Sequence, residues 1–329
     1  MKPAAFDYLA PSTVGEAVDA LADTGRRAQV LAGGQSLLLD LHYRRSHPDL
    51  VLDINRVHDL DHLGVHDGAL HVGALVRHRV FESPQVAPGP LGRLLSLAVV
   101  NIAHPPIRAL GTMVGSLAYA HPAAEWCTTA LALDAEIEMH GPDGVRVVGA
   151  RDYFHGPHRT ARGSQELITA VRLPLLGDTT GVGFAEHRRT HASFAQIAVV
   201  VTLTAPAGVI TGARVGLANA ADRPIRAYAA ERSLIGTEAG RPLPSLSEHH
   251  PPEPHPSEPH PSERGSSENH PFDWAGRIAA ERDADPRAQP YADVDYQRQV
   301  IAVLVSRALR QASADRRAHA GHDGAGGPR

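Results

Sequence analysis

The strand-like run Gln29-Val30-Leu31 passes directly into Gly33-Gly34, and this step constrains the chain more than any other. Two glycines after a buried strand allow positive φ and close backbone approach, so successive N–H groups can line an anion such as a pyrophosphate. Ser36 adds a hydroxyl to the hexapeptide Leu31-Ala32-Gly33-Gly34-Gln35-Ser36. The spacing is not the G-x-G-x-x-G of a Rossmann turn. The hexapeptide alone therefore fits either a phosphate-lining loop or a tight turn between strand and helix. Helix and strand signals alternate around it. Thr13 and Glu16 form a capping box before Ala17, Val18 and Leu21, and Gly25 closes that segment. Leu37–Arg44 reads as a short helix and Leu50–Ile54 as a second strand, a rhythm that predicts a small parallel sheet.

From Leu63 the pattern changes. Leu63–Val72 is a hairpin signal with Asp67-Gly68 as its turn, and Ala130–Met139 followed by Gly141–Gly144 and Val145–Val148 is another. Phe81–Ala103 is helical in pattern, interrupted near Pro84–Pro90. Ala195–Leu203 and Ala213–Leu217 read as strands, Ile225–Ile235 as a helix. Tyr296–Gln311 reads as a helix whose apolar stripe is Val300, Ile301, Leu304, Val305, Ala308 and Leu309. Between them, all but four of the 27 residues of Ser245–Pro271 are Pro, His, Glu or Ser. Burial cannot offset the ordering entropy of such a segment, so 245–271 is expected to be a disordered linker and 312–329 a disordered tail.

Composition narrows the chemistry. Cys127 is the single cysteine and Lys2 the single lysine among 32 basic residues. A lone thiol forms no internal disulfide and supplies neither a Cys-rich zinc site nor the ligands of an iron–sulfur cluster. A lone lysine near the N-terminus excludes a Walker loop and an internal Schiff base. There is no H-E-x-x-H and no Gly-x-Ser-x-Gly elbow. The i, i+4 histidines (His58, His62, His66; His187, His191) read as structural or solvated, so no metal site is expected. Met1–Ser12 lacks a secretory apolar core and no run of 18 apolar residues occurs, so a cytoplasmic protein without a membrane span is expected. A formal charge of −4 without a basic stripe argues against a nucleic-acid partner.

A second glycine-rich stretch, Ile107-Arg108-Ala-Leu-Gly111-Thr112-Met113-Val114-Gly115-Ser116, precedes His121-Pro122-Ala-Ala-Glu125. Its glycines, hydroxyls and acid could close the other side of a dinucleotide.

The order Phe6-Asp7-Tyr8, Pro11, Leu31–Ser36, Asp53, Gly73-Ala74, Ile107-Arg108, Gly111-Thr112, Gly115-Ser116 and Pro122–Glu125 resembles the FAD-binding (medium) subunit of molybdenum hydroxylases of the carbon monoxide dehydrogenase and xanthine dehydrogenase type. The likeness continues through Leu217–Ala220, Pro224, Ala230-Glu231 and Leu234–Gly236, and resumes at Tyr296–Ala312. It implies an α+β, PCMH-type (vanillyl-alcohol-oxidase-like) FAD-binding domain over 1–176, with subdomains of about 1–56 and 57–176. A C-terminal α+β flavoprotein domain over 177–311 would follow, interrupted by the linker. It further implies non-covalent FAD held by Ala32, Gly33, Gly34, Gln35 and Ser36 at the pyrophosphate. Thr112, Val114, Gly115 and Ser116 would contact it from the second loop, Glu125 at a hydroxyl, and Ile102 and Phe194 near the flavin. The implied partners are a large molybdopterin-binding subunit, which carries the molybdenum cofactor, and a small subunit with [2Fe–2S] clusters, in a dimer of heterotrimers. In that complex this chain is an oxidoreductase subunit that passes electrons from the clusters through FAD to an external acceptor, with no catalytic acid or base of its own. Two departures bear on FAD binding. Val114 stands where the family has glycine, and His121 where it has aspartate. They leave open a scaffold subunit without flavin, beside a stand-alone flavin oxidoreductase of the same fold.

Overall fold

A computed structural model describes residues 2–23, 25–190, 193–239, 270–289 and 291–319. The first unit is a three-stranded parallel sheet of β1 (Asp7–Leu9), β2 (Ala28–Leu31) and β3 (Leu50–Asp53), in the order β1-β3-β2. Helices α1 (Val14–Ala22) and α2 (Leu37–His42) make the crossovers. At the start of α1 the Glu16 N–H donates to Thr13 Oγ1 (3.1 Å), while the Glu16 carboxylate accepts from the Ser12 N–H (2.7 Å). The expected box is present with its return bond one residue earlier.

The second unit is an antiparallel sheet in the order β4-β5-β10-β6-β7. Its strands are β4 (Leu63–His66), β5 (Ala69–Gly73), β6 (Glu136–Gly141), β7 (Gly144–Gly149) and β10 (Leu167–Pro174). Asp67 (φ 51°) and Gly68 (φ 72°) both take the left-handed conformation that a two-residue hairpin turn requires. The helices of this unit are α3 (Gly89–Val99), α4 (Pro105–Arg108), α5 (Met113–Tyr119), α6 (Glu125–Ala132) and α7 (Ala150–Tyr153). A small ribbon joins β8 (Phe154–Gly156) to β9 (Arg159–Thr160). Residues 130–132, read from sequence as the start of a strand, are the last turn of α6.

The third unit is an antiparallel sheet of β11 (Thr180–His187), β12 (Ile197–Thr204), β13 (Gly212–Ala218) and β14 (Ile225–Arg226), backed by α8 (Tyr228–Leu234), α9 (Pro271–Ile278) and α10 (Val294–His319). Both faces of β11 and β12 are buried. Val182, Phe184, Ala198 and Val200 join the core of the first two units, whereas Ile197, Val199, Val201 and Leu203 pack with the helices. This explains the unbroken apolar run of β12. The axis of α10 lies so close to β11 that a Cβ at Gly181 or Gly183 would meet the Ala312 or Ala308 carbonyl oxygen at 1.9 or 2.1 Å.

Several sequence expectations change here. The last helix does not stop at 311, so residues 312–319 are not a disordered tail. Ala312 and Ser313 are buried, and Asp315 pairs with Arg93 and accepts the Val182 N–H (3.1 Å). Ile225 and Arg226 form an edge strand rather than the start of a helix. The expected linker lies outside the described residues over 245–269, but its last two residues are ordered. His270 caps α9, accepting the Phe272 N–H at Nδ1 (3.1 Å), and Pro271 is the first helical residue. Strand β11 and helix α9 are not among the sequence expectations, although Phe272, Ala275 and Ile278 recur at helical spacing along α9. His191 and the expected tail beyond 319 also lie outside the described residues.

Candidate cofactor site

Strand β2 ends by delivering Ala32–Ser36 against the second glycine loop. A Cβ on Gly33 would stand 2.4 Å from the Leu110 carbonyl oxygen and 2.6 Å from Gly111 Cα, so the two loops touch backbone to backbone and only glycine fits. Gly34 takes φ +72°. The carbonyls of the first loop are occupied. Gln35 Nε2 donates to Gly33 O (3.0 Å) and Asn55 Nδ2 to Ala32 O (2.9 Å), while Arg77 binds both Leu110 O and Asn55 Oδ1. The N–H groups of Gly33, Gly34, Gln35 and Ser36 have no protein acceptor among the described residues. A row of unpaired amides beside bound carbonyls is an anion cradle.

The second loop enters α5 through Thr112, whose Oγ1 accepts the Gly115 N–H (2.9 Å). Val114 lies in this helix and is buried, with no positive φ. The valine is therefore unstrained, because this position takes no positive φ. Both loops open onto a cleft of about 270 Å³, near the lower end of the size range of small-molecule sites (~300–1,000 Å³). Of the expected site residues it brings together Ala32, Gly33, Gly34, Gln35, Ser36, Thr112, Val114, Gly115 and Ser116. Its wall also includes Asp40, His78, Tyr119 and Arg162, which the sequence did not flag. Burial and the Asp40 carboxylate raise the Tyr119 phenol above its ordinary value. Their signal was absent because they come from four separate segments and join only in the fold.

Ile102, Glu125 and Phe194 do not line this cleft. Ile102 is buried just after α3, its carbonyl accepting from Arg108 (3.1 Å). Glu125 opens α6 in the core. Burial, and after it the charge of Glu186, pushes its carboxyl up to about 8. Both Glu186 oxygens are buried without a hydrogen bond. Burial lifts that group to about 7 although Arg188 Nε lies 3.4 Å away. Arg188 also holds the Asn101 carbonyl and side chain (3.0 and 2.8 Å), which links this acidic pair to the segment of Ile102. Phe194 is 57% exposed and stacks on His121, with centroids 4.0 Å apart and planes at 10°. His121 Nδ1 accepts the Ala123 N–H (3.1 Å), the acceptor role an aspartate fills in such turns. Burial, and then the neighbouring His158, keeps the imidazole neutral by lowering it to about 4. The substitution preserves the acceptor and removes the charge.

On the hairpin, His66, Asp67 and His71 come together. Their ligand atoms lie within 4.8 Å of one another, and the two imidazoles are tilted by 31° with centroids 3.4 Å apart.

Residues 4–176 match the family described as the FAD binding domain in molybdopterin dehydrogenase. The chain belongs to this family. Caffeine dehydrogenase subunit beta of a Pseudomonas species is 37% identical over 251 residues, 76% of this chain and 85% of that protein. The carbon monoxide dehydrogenase medium chain of Afipia carboxidovorans is 34% identical over 244 residues, 74% of this chain and 84% of that protein. Among solved structures, CO dehydrogenase from Oligotropha carboxidovorans superposes with a TM-score of 0.83 at 28% identity, over 96% of this chain and 100% of that one. The fold is that of a carbon monoxide dehydrogenase flavoprotein, and the chain is an FAD-binding oxidoreductase subunit of the molybdenum hydroxylase type. The site fits the cofactor, since the glycine contact leaves no room for a side chain and the free amides face a dianionic pyrophosphate's needs. No helix among the described residues is long and apolar enough to cross a membrane.

Proposed function

We propose that this subunit passes electrons from the [2Fe–2S] clusters of a small partner subunit through FAD to an external acceptor, in a cytoplasmic complex whose large subunit oxidises substrate at a molybdenum cofactor. A dimer of such heterotrimers is the proposed assembly. FAD, when bound, accepts two electrons and can return them singly or as a pair. The chain's own residues do the rest. The amides of Gly33–Ser36, with Ala32, Thr112, Val114, Gly115 and Ser116, grip the cofactor without lysine. On the family resemblance, Ile102 and Phe194 are assigned near the flavin and Glu125 to a hydroxyl of the cofactor. Cys127 supports the division of labour. It is buried, its Sγ lies 3.4 Å from the Ser116 carbonyl, and burial pushes the thiol well above its ordinary value, so the single cysteine is not poised to ligate a cluster as a thiolate.

The observation that carries this reading is the contact of two glycine loops around unpaired amides. The reasons for a flavin-free scaffold weaken, because Val114 is helical and His121 keeps the acceptor. The test is purification with co-expressed partners and a visible spectrum. A flavin band near the stoichiometry of the chain, bleached by substrate only when partners are present, is expected. A folded, colourless complex refutes the flavin assignment, and bleaching of the isolated chain by substrate refutes the need for partners.

A further inference from the structure

His78 begins a 3₁₀ turn, His78–Glu82, and is 5% exposed. Its N–H donates to Gly111 O (2.9 Å), which ties it to the second glycine loop. Its side chain reaches the cleft wall, where a Cβ on Gly111 would come within 2.7 Å of the imidazole Cδ2 and Nε2. On the opposite edge of the ring, Nδ1 lies 2.9 Å from Nε1 of Trp126, a side chain 1% exposed and packed edge-on against Phe81. An indole N–H only donates. Nδ1 must therefore carry a lone pair, and the single proton of a neutral imidazole must sit on Nε2. The ring is neutral because burial, then Arg108 and Arg77, lower it to about 4. Nε2–H has no acceptor among the described residues. On the cleft wall, a donor with no protein acceptor is free to bind a ligand atom.

We infer that Trp126 locks His78 in the Nε2–H tautomer, so that this imidazole donates a hydrogen bond to a phosphate oxygen of the dinucleotide pyrophosphate beside Gly111. This rests on the FAD reading. A neutral donor with a fixed proton adds to the amides of Gly33–Ser36 from the facing wall, and Trp126 acts as a positioning residue with no contact to the ligand. It also explains the glycine at 111, since any side chain there would displace the ring.

The test uses the full chain and two ligands, FAD and riboflavin, which lacks the pyrophosphate. His78→Phe should weaken FAD at least tenfold and leave riboflavin within about twofold, and His78→Gln, which keeps an N–H donor, should recover part of the loss. Trp126→Phe should weaken FAD several-fold. Nitrogen NMR of histidine-labelled protein, with His78→Gln subtracted, should show an unprotonated Nδ1 and protonated Nε2 between pH 5.5 and 8, and Trp126→Phe should lose that signature. A Nδ1–H tautomer, a titration near pH 6.5, or unchanged FAD affinity in folded His78→Phe overturns the inference while wild-type FAD binding keeps the cofactor reading. Equal losses for FAD and riboflavin overturn the pyrophosphate assignment. Wild-type protein that binds no FAD overturns both.

Discussion

Gly33 and Glu186 are opposite cases of a residue at odds with its surroundings. At Gly33 the absent side chain is what allows Leu110 and Gly111 to close on the first loop. Gly33→Ala should separate them, costing about 1–3 kcal/mol of stability and most of the bound flavin, read from a thermal melt and the flavin-to-protein absorbance ratio. Full flavin content in the alanine variant would show that the loop contact is dispensable. Glu186 has its carboxylate oxygens in the core without donors. Its folded value of about 7, and about 8 for Glu125, lie above the 4.5 of a free glutamate. Between these limits the folded chain holds more protons than the unfolded one, so stability falls as pH rises from about 4.5 to 8. Glu186→Gln should therefore be more stable than wild type at pH 8, by on the order of 1–3 kcal/mol, with the gap closing towards pH 5. A gap of equal size at both pH values would contradict this account.

At the scale of elements, α10 is the clearest lesson. Its apolar stripe was legible, yet its last two turns were not, because Ala312–His319 reads as small and polar in isolation. What orders them is tertiary. Gly181 and Gly183 admit the helix backbone, and Asp315 is bound by Nε and Nη2 of Arg93 on α3 (2.8 and 3.0 Å) and by the Val182 N–H. Asp315→Ala leaves a half-buried arginine and an unpaired strand amide. A loss of about 2–4 kcal/mol is expected in urea unfolding, with fraying of the last helical turns visible as faster amide exchange. Unchanged exchange beyond Ala312 would mean that packing alone holds the helix end. Helix α5 teaches the converse. Its valine looked like a misfit in a loop, and is an ordinary helical residue once Thr112 has capped the turn.

At the scale of the molecule, the FAD-binding units and the C-terminal sheet are joined by charge as well as by apolar packing. Asp134, in the left-handed turn after α6 (φ 54°), accepts from Arg226 (2.8 and 2.9 Å) and Arg151 (2.8 Å), with Arg214 at 3.4 Å. Arg226 also pairs with Glu231 (2.7 Å). Burial opposes ionisation of Asp134, but Arg151, Arg226 and Arg214 together hold it below its ordinary value. A depressed carboxylate stabilises above its unfolded value near 3.8 and ceases to as pH falls through its folded one. Asp134→Asn keeps the turn, since asparagine tolerates positive φ, and should cost about 2–4 kcal/mol at pH 7, a deficit that shrinks as pH falls below 3.8. A deficit that does not shrink on acidification below pH 3.8 would assign the loss to the turn rather than to the charge.

The sequence by itself determined what depends on neighbours along the chain. These are the Thr13 cap, the Asp67-Gly68 turn, the glycine step after β2, the stripe of α10, and the absence of thiols for a cluster. The tertiary structure alone decided what depends on distant segments meeting. Gly33 and Leu110 are far apart in sequence and in contact in space, His78 receives its tautomer from Trp126, and Ile102, Glu125 and Phe194 fall outside the cleft formed by the other expected residues. Local patterns record the conformations a backbone prefers; which surfaces then exclude water together is fixed only when the whole chain has packed.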